Sequence, residues 1–260
     1  MKQGLFTITE NVKLTPTTYR MKLEGDVSAI TVPGQFINID LDGHFLRRPI
    51  SVCDVNIDDP ATGKGTVTII YKLLGQGTEE MSRMNPGTEL DVLTGLGYGF
   101  DIRDAGNMPV LIGGGVGIPP LYYTAKMMES FAAPPIVILG FNTKEEMFLI
   151  DEFIALRCSI IVATADGSAG VKGTVVDALN ELLKYPNANV SHFYACGPEA
   201  MLKALYKAAY EEAGISGQMS FEERMGCGFG ACMGCSIRTR DGYKRICKDG
   251  PVLRTEEILW

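Results

Sequence analysis

Near its C-terminus the chain reads Cys227-Gly-Phe-Gly-Ala-Cys232-Met-Gly-Cys235, followed after eleven intervening residues by Cys247. This C-x4-C-x2-C…C pattern is the thiolate spacing of a plant-type [2Fe–2S] site. Glycines at 226, 228, 230 and 234 suit a loop bent around a compact inorganic core, because glycine takes positive backbone dihedrals and lets N–H groups approach sulfide. Structural zinc is the alternative, but it usually takes two C-x2-C pairs, and only Cys232 and Cys235 form one. Disulfides belong to secreted chains with a cleavable leader, whereas Met1-Lys-Gln-Gly-Leu-Phe-Thr-Ile reads as the start of a strand. Cys227, Cys232, Cys235 and Cys247 are the candidate metal ligands. Cys53, Cys158 and Cys196 lie in apolar or strand-like settings that suit buried thiols.

A [2Fe–2S] centre moves one electron at a time, so the rest of the chain should hold something that gives or takes electrons. The 260 residues are too many for a cluster module alone and fit two domains plus a small third part. A net charge of −7 argues against a nucleic-acid partner and against docking to membranes through a basic face. No apolar run approaches the length of a membrane span, so the expectation is a soluble, cytoplasmic protein with no nucleic acid and no membrane.

Residues 1–101 carry short strand patterns at Leu5–Ile8, Thr18–Leu23, Gln35–Leu41, Pro49–Val55, Thr66–Leu73 and Glu89–Leu93. Their spacing and Gly, Pro and Asp punctuation predict an antiparallel barrel. Within it, Arg48-Pro49-Ile50-Ser51 offers a guanidinium fork for phosphate and a hydroxyl three residues on, or simply a solvated strand edge. Ile70-Tyr71-Lys72 runs into Gly75-Gln-Gly77-Thr78 before a helical pattern, a turn that can expose N–H groups to an anion or merely join two elements.

Residues 102–220 alternate strands at Pro109–Ile112, Ile136–Gly140, Ile160–Thr164 and His192–Cys196 with helical patterns at Leu121–Phe131, Lys144–Arg157, Val175–Lys184 and Glu199–Ala213. That alternation predicts a parallel sheet covered on both faces. Gly113-Gly114-Gly115-Val-Gly117 between a strand and a helix makes a dinucleotide-binding start, although Ile118 or Pro120 falls where the last glycine of the usual fingerprint belongs. The turn Cys196-Gly197-Pro198 delivers its residues to the carboxyl edge of the sheet, where ligands bind in such folds. Gly140-Phe-Asn-Thr143 has no Arg for a 2′-phosphate, which favours NAD, while Lys144 keeps NADP open. His44 and His192 read as structural, and Glu222 as a solvated or ion-paired carboxylate that could alternatively face a cofactor.

Arg48-Pro-Ile-Ser51 and Gly77-Thr78 resemble the flavin motifs of the ferredoxin reductase superfamily, with Ile50 in place of the usual aromatic. With Gly113–Pro120, Asp166-Gly-Ser-x-Gly-x-Lys-Gly173 and the cysteine ending, the whole chain resembles the electron-transfer subunits of type B dihydroorotate dehydrogenase. The resemblance implies a flavin-binding β-barrel over 1–101, an NAD-binding α/β domain over 102–220 and a [2Fe–2S] module over 221–260. It implies FAD held by Arg48, Pro49, Ile50, Ser51, Ile70, Tyr71, Lys72, Gly77 and Thr78. NAD would lie on Gly113, Gly114, Gly115 and Gly117, with Cys196 and Gly197 beside the nicotinamide. The partner implied is an FMN-containing catalytic subunit, in a heterotetramer of two plus two, serving pyrimidine biosynthesis. A related soluble flavin–iron–sulfur oxidoreductase subunit and a non-enzymatic zinc-loop binding protein are the other readings.

Overall fold

Period-two burial on the first strands sets the architecture: in Thr18–Asp26, Met21 and Leu23 point inward while Arg20 and Lys22 face out. The computed structural model describes residues 1–131 and 134–260. In it β1 (Lys2–Lys13), β2 (Thr18–Asp26), β3 (Phe36–Ile39), β4 (Arg48–Asp59), β5 (Lys64–Lys72) and β6 (Glu89–Leu96) close an antiparallel barrel in the order β1-β2-β5-β4-β3-β6, with α1 (Gln76–Met81) between β5 and β6. Phe6, Ile8, Val52, Val67, Ile69 and Val92 fill its interior. Closure leaves no free sheet edge, which is how a barrel of short strands avoids edge pairing.

β7 (Pro109–Gly114), α2 (Ile118–Met127), β8 (Ile136–Phe141), α3 (Ile150–Ala155), β9 (Ser159–Thr164), β10 (Val171–Lys172), α4 (Val175–Leu183), β11 (His192–Cys196), α5 (Glu199–Leu205) and β12 (Gly217–Ser220) build the second layer system. After a hairpin of β13 (Ser236–Thr239) and β14 (Gly242–Arg245), the chain returns as β15 (Val252–Arg254). The sheet order is β10-β9-β8-β7-β11-β12-β15, parallel throughout except for the antiparallel β12–β15 pair. The helical pattern over 144–157 does not run unbroken. A single turn at Lys144–Glu146 is followed by extended Met147, left-handed Leu149 and then α3. Burial of Phe148 and Leu149, with Phe148 edge-on to Phe141 at 5.7 Å, outweighs helix continuation there.

The outward faces of β4 and β5 supply Cys53 and Ile70 to an apolar layer shared with Leu111, Ile118 and Leu121 of the nucleotide domain. Lys126 of α2 reaches across to Asp54 at 2.7 Å and Asn56 at 2.9 Å. The two units therefore meet through packed side chains plus a half-buried ion pair, which fixes the cleft between them.

At the opposite end of the sheet, Gln218 Nε2 donates to the Asp101 carbonyl at 2.9 Å and lies 3.3 Å from Nε2 of buried His192. An amide nitrogen only donates, so His192 accepts there as a neutral ring. Burial pushes the His192 pKa down, with the Asp104 carboxylate opposing. The unfolded chain then binds a proton that the fold resists, so this contribution is present above the ordinary imidazole range and lost as pH falls through the depressed value. Thermal melts from about pH 7 to about pH 5 should show a falling midpoint that flattens in His192→Gln. An unchanged slope in the variant would show that other groups set the acid sensitivity.

Candidate functional site

Two adjoining cavities line the barrel's open end and share Leu74 and Thr78. The first, about 200 Å³, is walled by Pro49, Ile50 and Ser51 at the start of β4 and by Ile70, Tyr71 and Lys72 at the end of β5. The facing wall is Val116, from the glycine loop after β7, with Ser220, Phe221, Glu222 and Glu223 at the end of β12. The second, about 370 Å³, is bounded by His44, Arg48 and the turn Leu74–Thr78. The predicted flavin residues thus fall in two groups, Arg48 and Gly77 in the outer cavity and the remainder in the inner one, with Thr78 in both.

The Arg47-Arg48 pair divides its work. Arg47 is spent on the barrel, 2.7 Å from the Asp91 carboxylate and donating to the Asp91 carbonyl at 3.2 Å. Arg48 lies across Gly77, where a Cβ would come within 2.3 Å of Arg48 Nε. A side chain here would displace the guanidinium from over this turn. Tyr71 lies in the barrel core, its ring stacked on Tyr19 with centroids 6.0 Å apart, and its hydroxyl donates to Asn11 Oδ1 at 2.9 Å, so its polar end is already satisfied.

The loop after β7 and the turn after β11 are in backbone contact. A Cβ on Gly117 would lie 2.3 Å from the Cys196 carbonyl oxygen, and one on Gly197 would lie 3.3 Å from Gly114 N. Gly113 and Gly114 are buried in β7, whereas Gly115 takes a φ of +52° and faces open space. Burial, with the Glu222 carboxylate adding to it, pushes the Cys196 thiol up to about 12, so it remains protonated at neutral pH. Burial likewise raises the pKa of Glu222, even though part of its surface opens to the cleft. Glu222 is exposed, has no ion-pair partner among the described residues and lines the inner cavity, so it is a solvated carboxylate that also faces the cleft.

In the cysteine loop the thiols approach as two pairs. Cys227 and Cys232 exchange contacts, the Cys227 N–H lying 3.4 Å from Cys232 Sγ and the Cys232 N–H 3.4 Å from Cys227 Sγ. Cys235 Sγ accepts from the Cys247 N–H at 3.4 Å, and both of these residues are buried. Among the described residues no three such side chains close on one point. Although burial raises it, backbone N–H groups of Cys232, Phe229 and Ala231 bring the Cys227 thiol down to about 6. Amides aimed at sulfur favour thiolate, the form that binds iron. Gly228 and Gly230 have φ of +77° and +92°, and a Cβ on them would strike Asn38 Nδ2 at 2.2 Å and Lys248 Cδ at 2.5 Å. Arg245 holds the loop from below, bonding Asp249 at 2.9 Å and the Gly230 carbonyl at 2.9 Å. Four thiols, converging amides and a loop whose positive-φ glycines disfavour side chains fit a sulfide-bridged iron pair.

Phe36, Phe221 and Met225 belong to both regions, lining the inner cavity and packing in the apolar cluster that contains Cys235, Ile246 and Cys247. Sequence reasoning did not reach these three, nor Val116, Ser220 or Pro251. The available signal was that β12 is one more parallel strand, whose carboxyl end must face the same cleft.

The family model for the iron–sulfur cluster binding domain of dihydroorotate dehydrogenase B matches residues 222–259, and that for the oxidoreductase NAD-binding domain matches 111–207. The dihydroorotate dehydrogenase B (NAD(+)) electron transfer subunit of Fusobacterium nucleatum is 42% identical over 97% of this chain and 96% of that protein. Its counterpart in Shouchella clausii is 38% identical over 99% and 98%. Among solved structures, a chain of an NADH-dependent reduced ferredoxin-NADP oxidoreductase superposes with a TM-score of 0.85 at 31% identity, over 99% of this chain and 90% of its own. A ferredoxin NADP+ reductase from Neisseria gonorrhoeae, at 17% identity and a TM-score of 0.65, shares the fold.

Proposed function

Because the chain belongs to the electron-transfer subunits of dihydroorotate dehydrogenase B, we propose that it passes electrons from a catalytic partner, by way of a [2Fe–2S] cluster and FAD, to NAD+ in pyrimidine biosynthesis. The partner is an FMN-containing dihydroorotate-oxidising subunit, and the assembly a heterotetramer of two plus two in the cytoplasm. Among the described residues no helix is long and apolar enough to cross a membrane. The observation that carries the reading is the shared wall of Phe36, Phe221 and Met225, which sets the cavity lined by the proposed flavin residues directly against the cysteine module.

FAD, when bound, takes electrons singly or in pairs and so links the cluster to a nicotinamide. Arg48 supplies positive charge toward a diphosphate, while Ser51 and the Ile70–Lys72 strand end line the cavity that receives the ring system. Cys227, Cys232, Cys235 and Cys247 hold the cluster. Gly115 leaves backbone open to a pyrophosphate, Gly113, Gly114 and Gly117 let the strand end and loop pack closely behind it, and Gly197 permits close approach beside Cys196. Cys196, staying a neutral thiol, packs rather than acting as a base. At the ends of β8 and β9, Asn142 donates to Glu146 at 2.8 Å and Ser168 donates to Asp166 at 2.6 Å. These carboxylates disfavour a 2′-phosphate, which supports NAD over NADP. The cluster loop, with exposed Phe229 and Met233, and the tail at Trp260 face the partner.

The test is the visible spectrum of anaerobically purified protein, followed by addition of NADH and then of the catalytic subunit with dihydroorotate and NAD+. Flavin and iron–sulfur bands that bleach with NADH, plus NADH formation requiring both chains, are expected. Bleaching without dihydroorotate-linked turnover, but with turnover of reduced ferredoxin and NADP+, would move the chain to the oxidoreductase class of its 31% identical structural relative. Absent bands would remove the cofactor assignment altogether.

A further inference from the structure

Arg48 does not hang free in the outer cavity. Its Nη2 lies 2.7 Å from His44 Nδ1, and His44 Nε2 lies 2.8 Å from Glu80 Oε2. A guanidinium only donates, so Nδ1 must accept and the ring proton sits on Nε2, donated to Glu80. Arg48 Nη1 donates to the Leu46 carbonyl, and Gly77 lies beneath the guanidinium. The side chain is thus seated on three sides, with its ring support on the wall of the same cavity.

Resting on the reading of Arg48 as a flavin ligand, we propose that His44 is a positioning residue: its neutral ring seats Arg48 for the diphosphate of FAD, and its protonation unseats Arg48. Arg48 from β4 and Glu80 from α1 are the charged groups that meet the ring, while Leu74 to Thr78 opposite bring none. Protonation sets N–H against N–H at the Arg48 contact and cation against cation, yet keeps the bond to Glu80. The ring therefore stays with α1 and the guanidinium gives way.

The experiment uses the full chain carrying FAD and follows flavin release on dilution, as the rise in free-flavin fluorescence, at about pH 8 and about pH 5.5. Wild type should release FAD faster at the lower pH. His44→Ala should release it roughly tenfold faster at the higher pH, the loss of one charge-assisted hydrogen bond. His44→Gln, whose carbonyl oxygen can accept from Arg48 but cannot titrate, should restore retention and flatten the pH dependence. A merely structural histidine would give neither the rescue nor the flattening. Release from His44→Ala at the wild-type rate, or a wild-type pH profile in His44→Gln, would overturn the proposal while leaving the flavin reading intact. A wild-type chain that holds no FAD at either pH would overturn both.

Discussion

Replacing Cys232 with serine is expected to abolish the iron–sulfur absorption and the partner-dependent formation of NADH, while the flavin bands and the melting transition persist. Cys232 is exposed on the loop, and its Sγ receives the amides of Cys227 and Gly234, at 3.4 and 3.5 Å. The protein part of the fold therefore loses little when the sulfur goes. Cys235 and Cys247 differ, being buried with Phe36, Leu93, Leu96 and Ile246. Serine at either places a hydroxyl in that apolar cluster and should cost about 1–3 kcal/mol in addition to the cluster. Visible spectra and urea titrations of the two classes separate ligation from packing. Full cluster absorption in Cys232→Ser would remove that residue from the ligand set.

The second large effect concerns Gly117. Its added Cβ would lie 2.3 Å from the Cys196 carbonyl oxygen, 2.4 Å from the carbonyl carbon and 2.5 Å from Gly197 N, all backbone that cannot rotate aside. Gly117→Ala should therefore push the two nucleotide loops apart, costing about 1–3 kcal/mol through overpacking and abolishing flavin bleaching by NADH. Gly115→Ala is the informative contrast, because its Cβ meets nothing and only the φ of +52° is strained. The cost there is about 1 kcal/mol, so a large rise in the NADH concentration needed for bleaching would mark Gly115 as the surface the pyrophosphate covers. If both variants bleach like wild type, the loop does not bind the nucleotide.

Features written within a few residues were legible in the sequence. The barrel strands announced themselves because inward Met21 and Leu23 alternate with outward Arg20 and Lys22, and the thiol spacing is complete within one loop and one later cysteine. The helical pattern over 144–157 failed because the periodicity cannot reveal that Phe148 and Leu149 gain more from tertiary burial than from helix. The surroundings of Glu222 were not legible because they come from β4, β5 and β12, which are far apart in the chain. β12 and β15 are short, and β15 acquires its identity only by pairing Met219 with Leu253 across the whole cysteine module.

That last pairing changes what kind of object the module is. Between β12 and β15 the chain leaves the sheet, forms the cysteine loop and hairpin, and comes back to the neighbouring position in the same sheet. The module is an excursion moored at both ends, not a pendant. Its two moorings, Ser220 opposite Val252 and Gln218 opposite Arg254, span a few residues of one rigid ladder. A tethered bead on a flexible tail would sample many separations from the flavin cavity. A doubly moored one has its separation set by the sheet itself, so electron hand-off needs no docking step inside the chain, and removal of the last nine residues would cast off the module as well as the tail.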